Sequence, residues 1–382
     1  MKHKRIYVVL LLLLFFGFSE ALASENDRLV DLEKEIQLLK SQYSQLSQPK
    51  MGYEYGPPKL QMRGFGHIGY EYSDSNLGSE NHFSLGGVDF FITSQVADKL
   101  SFLTEILFEF EEDGENVLDV ERLLLKYEPL NWLNISLGRG HTALGFWNQN
   151  YHHGTHLQTT VARPTLFNFE DDDGILPIHF VGLELSGNFK VPFGLVTYYA
   201  NVANGRGKTT EEIQLIEDGN NEKMLSLMLS LEPKNMEGLG FGANILYDVI
   251  PGNPAGTPAR PNEITEFIVG AHLYYIDQKI EFISEIQIIE HEETTDFYHK
   301  GGYAQFAYRF GDVIPYYRFD FMDIANGDPY FVGLPGVEDS IQHTMGIRFD
   351  WFAYSALKLE YRYMDADSGA SNIISGQVSF AF

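Results

Sequence analysis

The sequence contains no cysteine. That absence excludes a disulfide scaffold, cysteine-ligated zinc, iron–sulfur clusters and a lipid anchor carried on cysteine. Basic residues are scarce: 27 Lys+Arg stand against 53 Asp+Glu, a formal net charge of -26. Nucleic acid selects Lys/Arg-rich surfaces and is not an expected partner. Tryptophan is rare, at 3 residues, and no long apolar run occurs beyond the N-terminal segment. What the chain has in quantity is glycine (36), Phe (29) and Tyr (22) in 382 residues. That load points to one large β structure, although the length alone would suit about two or three domains.

The N-terminus reads as an address. Lys2, Lys4 and Arg5 precede an apolar run from Ile6 to Phe18, and Ala21-Leu22-Ala23 forms a small-x-small site. This pattern predicts a secretory signal peptide over residues 1–23, cleaved before Ser24. The run is shorter than the ~20 residues a membrane helix needs. Loss of Lys2, Lys4, Arg5 and Glu20 leaves 24 basic against 52 acidic residues, a net charge of -28. Next, Leu29, Leu32, Ile36, Leu39, Tyr43 and Leu46 recur at alternating three- and four-residue spacings among charged neighbours. Such a seam faces a partner helix, so residues 24–48 are expected to form a short periplasmic coiled coil. Residues 49–59, with Pro57-Pro58, read as a linker.

From Leu60 onward the pattern changes to alternating apolar and polar residues. Sixteen strands are expected over 60–72, 82–96, 100–111, 117–128, 133–140, 177–189, 193–203, 222–232, 238–249, 262–276, 278–290, 296–310, 312–322, 338–350, 354–364 and 372–382. The links alternate. Tight ones, such as Lys190–Pro192 and Trp351–Ala353, are followed by longer ones at 73–81, 112–116, 141–176, 204–221, 250–261, 291–295, 323–337 and 365–371. A soluble sandwich has no reason for this; an outer-membrane barrel has short turns at one rim and long loops at the other. Parity agrees: Leu357, Leu359, Tyr361 and Tyr363 oppose Lys358, Glu360 and Arg362, and Ile280, Phe282, Ile286 and Ile288 oppose Glu281, Glu285 and Gln287. A closed sheet with lipid outside and water inside demands such faces. On this reading an arginine at Ile286 is strongly destabilising and one at Gln287 is tolerated. Trp132 and Trp351-Phe352 fall at short turns, as an interfacial aromatic girdle requires.

The last strand ends in Phe382, with apolar residues two and four before it. This resembles the C-terminal signature that the barrel-assembly machinery of Gram-negative bacteria reads. The whole of residues 60–382 resembles a sixteen-stranded general porin, and the heptad segment resembles that of some porins in the group that includes the phosphate-selective type. The fold class expected is therefore an all-β transmembrane protein, an antiparallel 16-stranded outer-membrane β-barrel with a short N-terminal coiled-coil helix. The resemblance implies an outer-membrane location among lipid and lipopolysaccharide, a homotrimer, and passive diffusion of small hydrophilic solutes.

In porins the third external loop folds inward and narrows the pore. The resemblance implies that role for the longest link, residues 141–176. It carries Tyr151, His152, His153, His156 and the acidic run Glu170, Asp171, Asp172 and Asp173. Parity places Arg63, Arg122, Lys126, Arg309, Arg318, Arg348, Lys358 and Arg362 on the lumen wall, with Glu105, Glu109, Glu281, Glu285 and Glu360 among them. An acidic loop facing a basic wall would make a transverse field. The mixture of lumen charges predicts weak cation preference or none, and the few basic residues disfavour a phosphate-specific channel. His152 and His156 have the spacing of a shared metal site on a helical turn, but no zinc motif is matched; polar packing of the loop is the expected role, with no metal or cofactor. No G-x-S-x-G is present, so an enzyme is not expected. The alternative function is a substrate-specific uptake channel for a sugar, an organic acid or a metal.

Overall fold

The computed structural model describes residues 60–382 apart from 77, 111–115, 152, 153, 170–172, 213, 214, 217, 257 and 258. The expected signal peptide, coiled coil and linker lie outside the described residues. So do His152, His153, Glu170, Asp171 and Asp172.

The described residues fold as one closed antiparallel sheet. Its first segments are β1 (Leu60–Ser75), β2 (Gly78–Ser84), β3 (Gly87–Ala97), β4 (Leu100–Phe110), β5 (Asn116–Leu130) and β6 (Leu133–His141). The next are β7 (His179–Val191), β8 (Gly194–Ala203), β9 (Met224–Pro233), β10 (Leu239–Ile250), β11 (Ile264–Ile276) and β12 (Ile280–Glu292). The last are β13 (Asp296–Tyr308), β14 (Val313–Asp323), β15 (Ser340–Phe352), β16 (Ser355–Ala366) and β17 (Gly369–Ala381). Both β2 and β3 pair with β1, through Gly69↔Ser84 and Gly66↔Val88. The register slips by one residue between them, so they are one barrel strand broken by a bulge at Leu85–Gly86. Gly86 sits there at φ 57, a conformation that glycine adopts without steric cost. The barrel thus has sixteen strands, as the alternation predicts.

The ring closes between β1 and β17, from Phe65↔Ala381 to Ser75↔Ser371. Gly64 and Phe382 exchange both backbone hydrogen bonds, at 2.8 and 2.9 Å. The Phe382 ring lies over Gly64, where any side chain would collide with it.

Facing follows the period of two. Ile286, Phe306, Ile341, Met345, Ile347 and Leu359 are exposed on the outside, whereas Gln287, Gln305, Thr344 and Glu360 are buried inside. Water does not stabilise so apolar an exterior; hydrocarbon does. Trp132, Phe193, Phe310, Trp351, Phe352 and Tyr354 are exposed at the short-turn rim. Among the described residues no helix is long and apolar enough to cross a membrane.

The opposite rim departs from the expected series of long loops. The 73–81 and 365–371 links contract to turns after Ser75 and Ala366, because β1, β2, β16 and β17 run further outward than their apolar alternation indicated. Long connections remain at 142–178, 204–223, 251–263 and 324–339.

Candidate functional site

The 142–178 connection joins the fifth and sixth barrel strands and is tied to the inner wall along its length. Its short helix α1 (Phe146–Asn150) starts at Gly145 without a side-chain cap of its own. The wall supplies one. Glu285 accepts from the N–H groups of Phe146 and Trp147 at 2.6 and 2.8 Å, and from the Tyr303 hydroxyl at 2.6 Å. A carboxylate suits the free amides of a helix start. Asn201 and Asn244 accept from the N–H groups of Ala143 and Gly145.

Further along, Glu281 accepts from the Thr159 hydroxyl at 2.9 Å. Glu360 accepts from the N–H groups of Val161 and Ala162 at 2.8 and 3.1 Å. The basic wall residues bind carbonyls along the same stretch, and Lys358 shares the Thr160–Val161 peptide unit with Glu360. Arg318 donates to the carbonyls of Ala162 and Arg163, Arg348 to those of His156 and Gln158, and Lys358 to those of Thr155 and Thr160. Charge-assisted bonds of this kind are the strong ones. Arg318, Arg348 and Lys358 therefore hold loop backbone.

An apolar core fixes the rest. Leu144, Trp147, Leu166, Phe167, Ile175 and Leu176 of the loop pack against Leu246, Ile264, Ile268, Ile283 and Ile289 of β10 to β12. Tyr330 and Phe331 of the 324–339 loop join the same cluster. Much of the lumen along β7 to β14 is thus filled. The signal was present in the sequence, because these isoleucines lie on the inward parity.

The wall of β1 and β3 to β6 is different. A cavity of about 260 Å³ lies there between Arg63, Phe65, Phe91, Glu105, Arg122 and His141 of the wall and Gln149, Asn150, Tyr151, Gly154 and Leu157 of the loop. Arg122 pairs with Glu105 and stands over the Phe91 ring at 5.0 Å. Arg63 pairs with no carboxylate among the described residues. Burial and the nearby Glu281 push the Tyr151 hydroxyl up, so it stays protonated and able to donate. A second cavity, of about 380 Å³, lies towards the short turns between His156, Asp312, Arg348, Asp350 and Trp351. Burial, with Arg348 and Lys358 adding to it, holds the His156 imidazole below its ordinary pKa and hence neutral.

The remaining expected site residues fall elsewhere. Arg309 leaves the wall: β13 ends at Tyr308, and Arg309 sits in the short turn, bonded to Asp350 at 2.9 Å. Lys126 lies on β5, paired with Glu128 at 3.0 Å. Arg362 bonds Glu71 at 2.8 Å. Glu109 lies near the outer end of β4. Asp173 is exposed and packs against Gly336 of the 324–339 loop, apart from the residues lining the 260 Å³ cavity. Gln287 is fully buried and bonded to Asn244 on both of its polar atoms, so its expected tolerance of arginine is overturned.

No family model matches the chain, and no curated protein matches it. Solved structures do. The outer-membrane channel DcaP of Acinetobacter baumannii is 10% identical with a TM-score of 0.60, covering 88% of this chain and 100% of that one. The anion-selective porin of Comamonas acidovorans is 12% identical with a TM-score of 0.59, over 85% and 100%. OmpF of Salmonella typhi, solved with daunomycin, is 12% identical with a TM-score of 0.60, over 85% and 98%. At such identities the likeness concerns architecture, and the chain has the closed sixteen-stranded barrel fold of the outer-membrane porins.

Proposed function

We propose that this protein is an outer-membrane channel for passive diffusion of small hydrophilic solutes and ions, weakly cation-preferring or unselective. The observation that carries the reading is the 142–178 loop, latched across the lumen so that a gap lined by Arg63, Glu105, Arg122 and aromatic rings remains beside β1 and β3 to β6. A sixteen-stranded barrel is too wide for its own wall residues to fill, so such a loop sets the passage. The excess of acids over the chain favours cations. Arg63 and Arg122 at the gap, with Glu105 the one acid lining it among the described residues, temper that preference.

The location follows from the apolar exterior. Export by residues 1–23, assembly through Phe382, contact with lipid and lipopolysaccharide, a homotrimer and a coiled coil over 24–48 belong to the same proposal. It includes no enzymatic activity. The test is conductance in planar bilayers. Ohmic, unsaturable current with a small reversal potential in a salt gradient is expected, and absence of current would end the reading.

A substrate-specific uptake channel is the second reading. It is favoured by the aromatic and guanidinium lining of the gap: Phe65, Phe91, Arg63 and Arg122 would suit a small organic acid. Saturable block of the current by micromolar carboxylate solute would decide for it.

A further inference from the structure

His291 on β12 and His299 on β13 both turn into the barrel near its outer rim. They sit diagonally, since the residue directly opposite His299 is Ile289. Asp328 of the 324–339 loop lies between them. Its Oδ2 is 2.6 Å from His291 Nδ1 and 2.6 Å from His299 Nε2. The three side chains are at most 1% exposed. The other ring nitrogen of His291, Nε2, lies 3.0 Å from Glu266 Oε1. His291 therefore has a carboxylate oxygen at each nitrogen. A neutral imidazole donates from one nitrogen only, so a positive charge is needed on the side of Asp328.

We propose that a divalent transition-metal ion of the zinc type supplies that charge, bound by His291 Nδ1, His299 Nε2 and Asp328 Oδ2. The three donor atoms all lie within 4.8 Å of one another. Tetrahedral zinc, with bonds of about 2.0–2.2 Å, needs each imidazole nitrogen to move less than about 1 Å away from Asp328 Oδ2. The surrounding contacts orient two of the ligands. The Nε2–H of His291 donates to Glu266 and so leaves Nδ1 free to bind, the carboxylate–histidine arrangement typical of metal sites. Glu266 is itself held by Arg206 at 3.1 Å. The Tyr330 N–H donates to Asp328 Oδ1 at 2.7 Å and leaves Oδ2 for the ion. Phe331 stacks on His291 at 5.2 Å and meets His299 edge-on at 5.0 Å, which keeps bulk water away. One contact is given up: the Ala325 N–H donates to His299 Nδ1 at 3.2 Å, and a metal on Nε2 moves the ring proton to Nδ1. Two ligands come from the wall and one from a loop, so the ion pins the 324–339 loop to the barrel.

Full-length protein folded in detergent and stripped with a chelator is titrated with Zn²⁺ against a chromophoric competitor, and separately with Co²⁺. One ion per chain and a tetrahedral Co²⁺ spectrum are expected. D328A and H299A should abolish both signals, and E266Q should weaken binding about 10–100-fold. Retained heat-modifiable migration in gels confirms that each variant is folded; if H299A does not fold, the loop variant D328A decides. Absence of saturable one-to-one binding by the folded wild type overturns the proposal and leaves a proton on His291 as the occupant. Undiminished binding by D328A also overturns it and moves the ion elsewhere.

Discussion

The two sides of this lumen obey one alternation and end differently. Along β10 to β14 the inward positions include Leu246, Ile264, Ile268, Ile283 and Met322, and the loops pack onto them as a protein core. Along β1 and β3 to β6 the inward positions include Arg63, Glu105 and Arg122, and a cavity persists. Parity tells which residues face inward. Whether water or protein meets them depends on their chemistry and on which loop reaches them.

Substitutions sharpen the contrast. The largest effect is expected for Gln287→Arg, which places an unpaired charge in the filled side; a loss of about 3–5 kcal/mol should appear in urea unfolding of the reconstituted barrel. Ile286→Arg, its outward neighbour, should cost ~2–4 kcal/mol in the same measurement, with the lower value towards the rim. Equal tolerance at both positions would break the assignment of faces. Glu285→Ala strands the N–H groups of Phe146 and Trp147. It should cost about 1–3 kcal/mol and raise single-channel conductance as the loop swings from the wall. On the open side, Arg122→Ala removes the guanidinium that pairs with Glu105; reversal potentials should move towards cation preference. Arg63→Ala should alter stability by less than about 0.5 kcal/mol and shift selectivity in the same direction. If Arg63→Ala proves the more destabilising of these two, the cavity is not where solvent runs.

Strand number, facing and the inward loop were legible because each repeats a local rule many times. Leu359 and Glu360 need only their neighbours to be read. The latches were not legible. Glu285 meets the Phe146 amide across 139 residues of sequence, and no spacing encodes that encounter. The acidic run attracted attention as a charge cluster, yet Asp173 packs against Gly336. Among the described residues the acids that hold the loop are isolated ones, Glu281, Glu285, Asp320 and Glu360, which pattern reading treats as ordinary wall residues. The filled side was legible in principle: Ile283 and Ile289 break the polar face of β12, and apolar residues on both faces of a strand mark a covered interior. The His291, His299 and Asp328 group combines two strands and a loop, so no motif announced it.

Among the described residues, pairing of β1 with β17 joins the strands furthest apart in sequence. Such distant joins are slow to form, since most of the polypeptide must be ordered before the reward arrives. Until then both terminal strands display unsatisfied edges, open to a neighbouring copy and to aggregation. Newly made protein therefore depends on being shielded until β17 docks, and shortening β17 should yield clumped material long before it yields a leaky pore.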